Sequence, residues 1–321
     1  MDKVHVVEGD ATKVTGDVLV LKYAQNFFGV DAAVAHLLAE GNPLVNMRPA
    51  PGRHVIVPTE GRLGVTFVVF VGVVRLPDLD YGQIRSFSKL ALKILASALP
   101  DARRIILTVH GPGYGLDEKE AFLALTAGIR DAFIEGSYPR QLTHLLILER
   151  NQGRAQRLSQ AFTDFKAALA IPRGATLSDT ESRMLDVGVA SSQKPHVFVA
   201  MPFAKGKMED VYGFGIQGAV NAAGYLCERI DFTTFTGDVL DRIRDRIESA
   251  SLVIADLTGA NANVYLEVGY AWGRGKQTVL LAEEDTDLKF DVRGQRCLLY
   301  SNITDLAKKL AETLNGLQPP R

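Results

Sequence analysis

The chain has 321 residues, 47% hydrophobic and 23% charged, a balance that excludes disorder as the main state and supplies enough apolar side chains for sizeable cores. With 36 basic against 37 acidic side chains the formal charge is −1, so no whole-chain electrostatic drive toward nucleic acid or an anionic membrane exists. The two cysteines, Cys227 and Cys297, lie far apart without CxxC or Cys/His spacing. That argues against a disulfide framework or a structural zinc, predicts no metal, and fits a reducing cytoplasm. The start, Met1-Asp-Lys-Val-His5, lacks the basic-then-apolar order of a signal peptide. The most apolar stretch, Val65 to Val74, is half the ~20 residues that a membrane-spanning helix needs, so no membrane partner is expected.

Short Val/Ile/Leu runs alternate with segments of helical period, the signature of an α/β protein with a largely buried sheet. The first series places strands at Val4–Val7, Val18–Leu21, His54–Val57, Phe67–Val71, Ile105–Val109 and Leu142–Leu148. Helices fall at Asp31–Ala39, Tyr81–Ala98, Glu118–Phe133 and Ala155–Leu169. Periodicity then fades through Pro172-Arg-Gly-Ala-Thr-Leu-Ser-Asp179 to Ser191-Ser-Gln-Lys-Pro195, a connector composition with room for a short helix at Asp179–Val187. The second series places strands at His196–Ala200, Tyr225–Ile230, Leu252–Asp256 and Thr278–Leu281, with helices near Asp210–Ala223, Val239–Ser249, Val264–Gly273 and Ile303–Leu314. The reading is two three-layer α/β domains, residues 1–172 and 195–321, joined by a linker at 173–194.

The most informative segment runs Leu252-Val-Ile-Ala-Asp-Leu-Thr-Gly-Ala-Asn-Ala-Asn-Val-Tyr-Leu-Glu-Val-Gly-Tyr-Ala-Trp272 and reads as strand, polar loop, helix. In an open parallel sheet, ligands bind beyond the carboxyl ends of strands, where Asp256 and the following loop would lie. Asn261 or Asn263 can cap the helix, which puts Glu267 in or near its first turn, ionised at a pocket rim under the macrodipole. Such a carboxylate suits chemistry at a sugar anomeric carbon, because cleaving an N-glycosidic bond develops oxocarbenium-like positive charge. Glu267 is the candidate nucleophile; Asp256 would hold ribose hydroxyls or orient Glu267, and Asn263 would donate to either. The same residues also fit a plain reading in which the Glu meets a helix dipole and the Asp caps a loop.

With His196-Val-Phe-Val-Ala-Met-Pro-Phe203 and Gly224-Tyr-Leu-Cys-Glu-Arg-Ile-Asp231, this segment resembles the nucleoside 2-deoxyribosyltransferase-like family, distantly related to TIR domains, some of which cleave NAD. The similarity runs to Lys289-Phe-Asp-Val292. It implies a flavodoxin/TIR-like doubly wound parallel sheet, with Glu267 at the position of the catalytic glutamate and Asp256 at that of the active-site aspartate. It further implies that Met201, Pro202 and Phe203 form a first loop over base or sugar, with Arg229, Asp231 and Asn261 near the substrate. Ala262 stands where relatives often have proline. Met201 and Phe203 equally suit a strand-end core, and Trp272 suits packing.

In the first half, Val6-Val-Glu-Gly-Asp-Ala-Thr12, Gly16-Asp-Val-Leu-Val-Leu-Lys-Tyr-Ala24, Gly29-Val-Asp-Ala-Ala-Val34 and Ile105-Ile-Leu-Thr-Val-His-Gly-Pro-Gly-Tyr-Gly115 are similar in order and spacing to macro domains. Glycine-rich turns leading into helix starts present backbone N–H groups to anions, so Gly29, Gly111, Gly113, Tyr114 and Gly115 are candidates to border a diphosphate. The resemblance makes Asp10 the adenine-contacting acid. The first loop, Gln25-Asn-Phe-Phe-Gly-Val-Asp31, lacks the family's run of glycines, and its phenylalanines either fill the pocket or reshape it. His110, at a strand end, is read as a core or loop residue.

Together these readings predict an N-glycosidase acting on a nucleotide, deoxynucleotide or NAD, needing no cofactor, with a macro-like domain binding a nucleotide-type ligand. Domain fusions of this kind resemble bacterial antiviral defence effectors. A homo-oligomer is expected. The alternative is a nucleotide-binding sensor or scaffold that hydrolyses nothing; a third outcome is transfer of deoxyribose between bases.

Overall fold

In the computed structural model the described residues are 1–40, 46–170, 182, 186–202, 206–230, 239–289, 292 and 294–317. The chain divides into two compact units, one of Met1–Gly111 with Lys119–Ser192, the other of Pro112–Glu118 with Gln193–Arg321. The short helix anticipated at Asp179–Val187 lies outside the described residues except at Ser182, Asp186 and Val187.

The first unit carries a six-stranded sheet of β1 (Val4–Glu8), β2 (Gly16–Tyr23), β3 (His54–Pro58), β4 (Val65–Gly72), β5 (Arg104–Thr108) and β6 (His144–Glu149). Their order is β1-β6-β5-β2-β4-β3, parallel throughout except for the β3–β4 pair. Val18 to Leu21 and Val68 to Val71 are fully buried, which is why these strands read as unbroken apolar runs rather than alternating ones. Antiparallel β3 takes the edge, where its terminal Pro58 lacks only a donor the sheet does not use.

Among the described residues this unit carries the helices α1 (Gly29–Ala39), α2 (Tyr81–Ala98), α3 (Glu118–Ile134) and α4 (Gln152–Leu169). Asp80 caps α2 by accepting from the Gln83 N–H, and Asn151 caps α4 by accepting from the Arg154 N–H. Helices α2 and α3 approach closely at Gly128, where a Cβ would lie 2.0 Å from the Arg85 carbonyl oxygen. The last stretch of the expected connector is docked on this unit. Arg85 Nη1 donates to the Val187 carbonyl at 2.8 Å, the Gly188 N–H donates to Ser191 Oγ at 2.7 Å, and Ser191 Oγ donates to Glu120.

The second unit holds a five-stranded, all-parallel sheet of β7 (His196–Ala200), β8 (Leu226–Glu228), β9 (Leu252–Asp256), β10 (Thr278–Glu283) and β11 (Cys297–Tyr300). The order β8-β7-β9-β10-β11 is the doubly wound 2-1-3-4-5 arrangement. One face packs under α5 (Lys207–Asp210), a π-helical stretch (Val211–Ile216), α6 (Gln217–Ala222) and α9 (Ile303–Gly316). The other packs under α7 (Val239–Ser249) and α8 (Ala262–Gly273). The chain leaves β7 toward β8 in one direction and reaches β9 in the other, so the carboxyl ends of β7 and β9 flank a topological switch point, the place where open α/β sheets bind ligands. Strand β11 was not among the expected elements. No helix among the described residues is long and apolar enough to cross a membrane.

Candidate functional site

At the end of β9, Asp256 is fully buried and turned into a small hydrogen-bond network. Its Oδ1 accepts from the Thr258 N–H at 2.9 Å and its Oδ2 accepts from Tyr300 Oη at 2.9 Å. Thr258 Oγ1 lies 3.3 Å from Tyr300 Oη and accepts from the Glu283 N–H at 3.1 Å. Burial pushes the Asp256 carboxyl above the usual carboxylate range, while the bonds from Thr258 and Tyr300 pull the other way.

The turn after Asp256 passes through Gly259 and Ala260 with φ of 72° and 49°. A left-handed alanine is uncommon and marks a tightly determined loop between strand and helix. Asn261 is the residue that caps α8, its side chain accepting from the Asn263 N–H at 2.9 Å; Asn263 is exposed.

This cap places Glu267 beyond the first turn of α8, where the macrodipole has faded. The residue is only 8% exposed, on the helix face that carries Val264, Val268 and Ala271 against the sheet. Burial alone pushes its carboxyl up to about 8, and no charged or hydrogen-bonding partner reaches it among the described residues. The sequence expectation of an exposed, dipole-stabilised anion is therefore corrected: Glu267 is a desolvated carboxylic acid, mostly protonated at neutral pH.

Met201 and Arg229 come together at the carboxyl ends of neighbouring β7 and β8. Met201 is buried, and its Sδ lies 3.6 Å from Arg229 Nη1. Arg229 Nη2 donates to Glu209 Oε1 at 2.8 Å, and the guanidinium lies 4.1 Å from the Tyr212 ring centroid. Tyr212 belongs to the π-helical stretch, a helix irregularity frequent at functional sites. Pro202 is half-buried beside Met201; Phe203 and Asp231 lie outside the described residues.

In the first unit, Asp10 folds back on its own loop. Its Oδ1 accepts from the Thr12 N–H at 2.9 Å and from Thr12 Oγ1 at 2.7 Å, bonds that hold its carboxyl below the ordinary range. Phe27 packs on Tyr23 and Phe70, with centroid separations of 4.9 and 5.5 Å, so it joins the core. Gly29, Gly111, Gly113 and Gly115 all have left-handed φ, which explains glycine at each. The structure does not gather the expected diphosphate loop into one unit. Gly113, Tyr114 and Gly115 cluster with the second unit, whereas Asp10, Gly29 and Gly111 belong to the first. The reason is local pairing: Tyr114 forms a β-bridge with Ile230, and the Gly115 N–H, one of the donors expected to face an anion, donates to the Arg229 carbonyl at 3.2 Å.

Sequence reasoning placed the Thr258 to Asn263 loop beyond the strand ends but missed Tyr300, Glu209 and Tyr212 near the carboxyl ends of the second unit's strands. The available signal for Tyr300 was a tyrosine ending a short apolar run ahead of the helix cap Asn302. Also missed was a buried Lys22–Asp31 ion pair in the first unit. His110 is buried against Phe87, ring centroids 4.9 Å apart, and held well below the usual histidine range by burial and by the Lys22 charge. Among the described residues no cluster of His, Cys, Asp and Glu is arranged to hold a metal ion.

No family model matches this chain, and no curated protein matches it. Solved structures with a similar chain path include a Trypanosoma brucei macrodomain in complex with ADP, at 16% identity over 50% of this chain and 68% of that one, TM-score 0.41. An Oceanobacillus iheyensis macrodomain with MES bound is similar at 19% identity over 50% of this chain and 90% of that one, TM-score 0.38. A Clostridium botulinum CMP N-glycosidase is similar at 21% identity over 37% of this chain and 98% of that one, TM-score 0.31.

Proposed function

We propose that the second unit cleaves the bond between base and ribose in a nucleotide, deoxynucleotide or NAD, with Glu267 as the group that meets the anomeric carbon. The observation that carries this reading is the Glu267 carboxyl itself, buried and without a partner among the described residues, on the helix that follows β9 of a doubly wound sheet. A structural carboxylate so deeply buried would ordinarily be paired, because burying an ionisable group alone costs stability.

The chemistry follows from that environment. As the carbon–nitrogen bond lengthens, positive charge grows on the ribose, and in a low-dielectric site this favours ionised Glu267 far more than water would. The Glu267 carboxyl gives its proton to water, the carboxylate bonds to the anomeric carbon, and the electron pair of the broken bond leaves on the base nitrogen. A purine or pyrimidine then takes up a proton from water, whereas nicotinamide leaves neutral. Water displacing the carboxylate completes hydrolysis; a second base displacing it completes transfer. Asp256, Asn261 and Asn263, together with Met201, Pro202, Phe203, Arg229 and Asp231, belong to the substrate-facing end in this reading. The first unit binds a nucleotide-type ligand, and the fused protein acts as a cytoplasmic, homo-oligomeric defence effector.

One observation favours the non-catalytic alternative: both Asp256 oxygens are already engaged within the fold. The deciding experiment incubates the full chain with mixed nucleotides, deoxynucleotides and NAD and reads the small molecules by mass spectrometry. Free base from the wild type and none from a ligand-binding Glu267→Gln variant supports the enzyme. Equal base release from both variants removes Glu267 from the mechanism, and none from the wild type leaves a sensor.

A further inference from the structure

We infer that Tyr300 is a positioning residue for Asp256, its hydroxyl holding that carboxyl as an anion in one orientation at the carboxyl end of β9. The assignment rests on the reading that Asp256 belongs to the substrate-facing end.

Tyr300 is 1% exposed, and a buried phenol must find a hydrogen-bond partner. Its single proton goes to Asp256 Oδ2 at 2.9 Å. The Thr258 hydroxyl lies 3.3 Å from Tyr300 Oη and also acts directly on the Asp256 carboxyl. Thr258 Oγ1 in turn accepts from the Glu283 N–H at 3.1 Å. The result is a hydrogen-bonded chain of two hydroxyls, anchored on the β10 backbone, that ends on the carboxylate. Such a chain polarises each successive donor toward the acceptor, and an ionised carboxylate gains most from it. The second oxygen is fixed independently by the Thr258 N–H at 2.9 Å, so the carboxyl is held at both ends.

The other titratable groups acting on Asp256 or acted on by it, among the described residues, are Glu283 on β10 and Cys297 on β11. Glu283 works against ionisation of Asp256, but Lys207 pairs with it at 2.5 Å. Burial and the Asp256 charge hold the Cys297 thiol up to about 11, so it stays neutral. Tyr300 and Thr258 are thus the groups on these elements that favour the anion.

The test uses the full chain with aspartate labelled at its carboxyl carbon, the Asp256 resonance being the one lost in Asp256→Asn. In Tyr300→Phe the titration midpoint of Asp256 is expected to rise by about one pH unit, a roughly tenfold change in ionisation. A role in packing alone leaves the midpoint where it is, and an unchanged midpoint overturns the assignment. Should Tyr300→Phe lose its near-UV circular dichroism, the wild type carrying tyrosine labelled at the ring carbon that bears the hydroxyl is titrated instead. A Tyr300 shift that moves with the Asp256 midpoint supports the inference, and one that does not move overturns it. Base release is measured in parallel. A wild type that releases no base defeats the glycosidase reading while the titration still decides the role of Tyr300.

Discussion

Replacing Glu267 by glutamine should make the second unit more stable as the pH rises, a direction opposite to that for most buried side chains that lose a native group. In the folded chain the carboxyl is held at about 8 against an ordinary value of 4.5. Below both values it is protonated in either state and contributes no penalty. Between them the unfolded chain releases a proton that the folded chain keeps, so stability falls with rising pH, and above about 8 the loss is complete. At ~1.4 kcal/mol per pH unit the full penalty is on the order of 5 kcal/mol as an upper bound, and a few kcal/mol once local relaxation admits water. Glutamine keeps the shape and removes the titration. Urea unfolding from pH 4 to pH 9 measures the difference, read by fluorescence of Trp272, the only tryptophan and a residue of the same helix. The Glu267→Gln advantage should grow through the interval and level off above about pH 8. A difference that stays flat across it would refute the burial argument.

Base release, if Glu267 is the nucleophile, should rise with pH to a plateau above about 8, whereas a role as general acid makes it fall; initial rates over that range decide. Lys22→Met strands buried Asp31 without its cation and should cost about 3 to 5 kcal/mol, with much of that recovered in the Lys22→Met/Asp31→Leu double variant, as read by thermal melting. Asn261→Ala removes the α8 cap and should cost about 1 kcal/mol, visible as a lower urea midpoint in Trp272 fluorescence.

The fold was legible where burial is continuous along the chain. Runs such as Val18 to Leu21 and Leu252 to Ala255 are apolar because both faces of a parallel sheet are covered, and that pattern is local. Strand β11 escaped notice because Cys297–Tyr300 is short and follows a polar stretch; what makes it a strand is pairing with β10. The site was legible as positions but not as chemistry. Asp256 at a strand end and Asn261 ahead of a helix follow from local pattern, and the choice of Asn261 as cap decides that Glu267 lies past the first turn. Whether that carboxyl meets water depends on how α8 lies on the sheet, which neighbouring residues do not encode. The Tyr300–Asp256 bond joins residues 44 apart in the chain, beyond any spacing rule.

The excursion of Pro112–Glu118 has a practical corollary for dissecting the protein. Asp117 accepts from the Cys227 N–H and from Asn221 Nδ2, both at 2.8 Å, so a fragment starting at Gln193 would lack an acceptor that its own interior requires. Gene order and modular order differ here: a separable second unit would have to be made by grafting that heptapeptide back, or by leaving the parent chain whole.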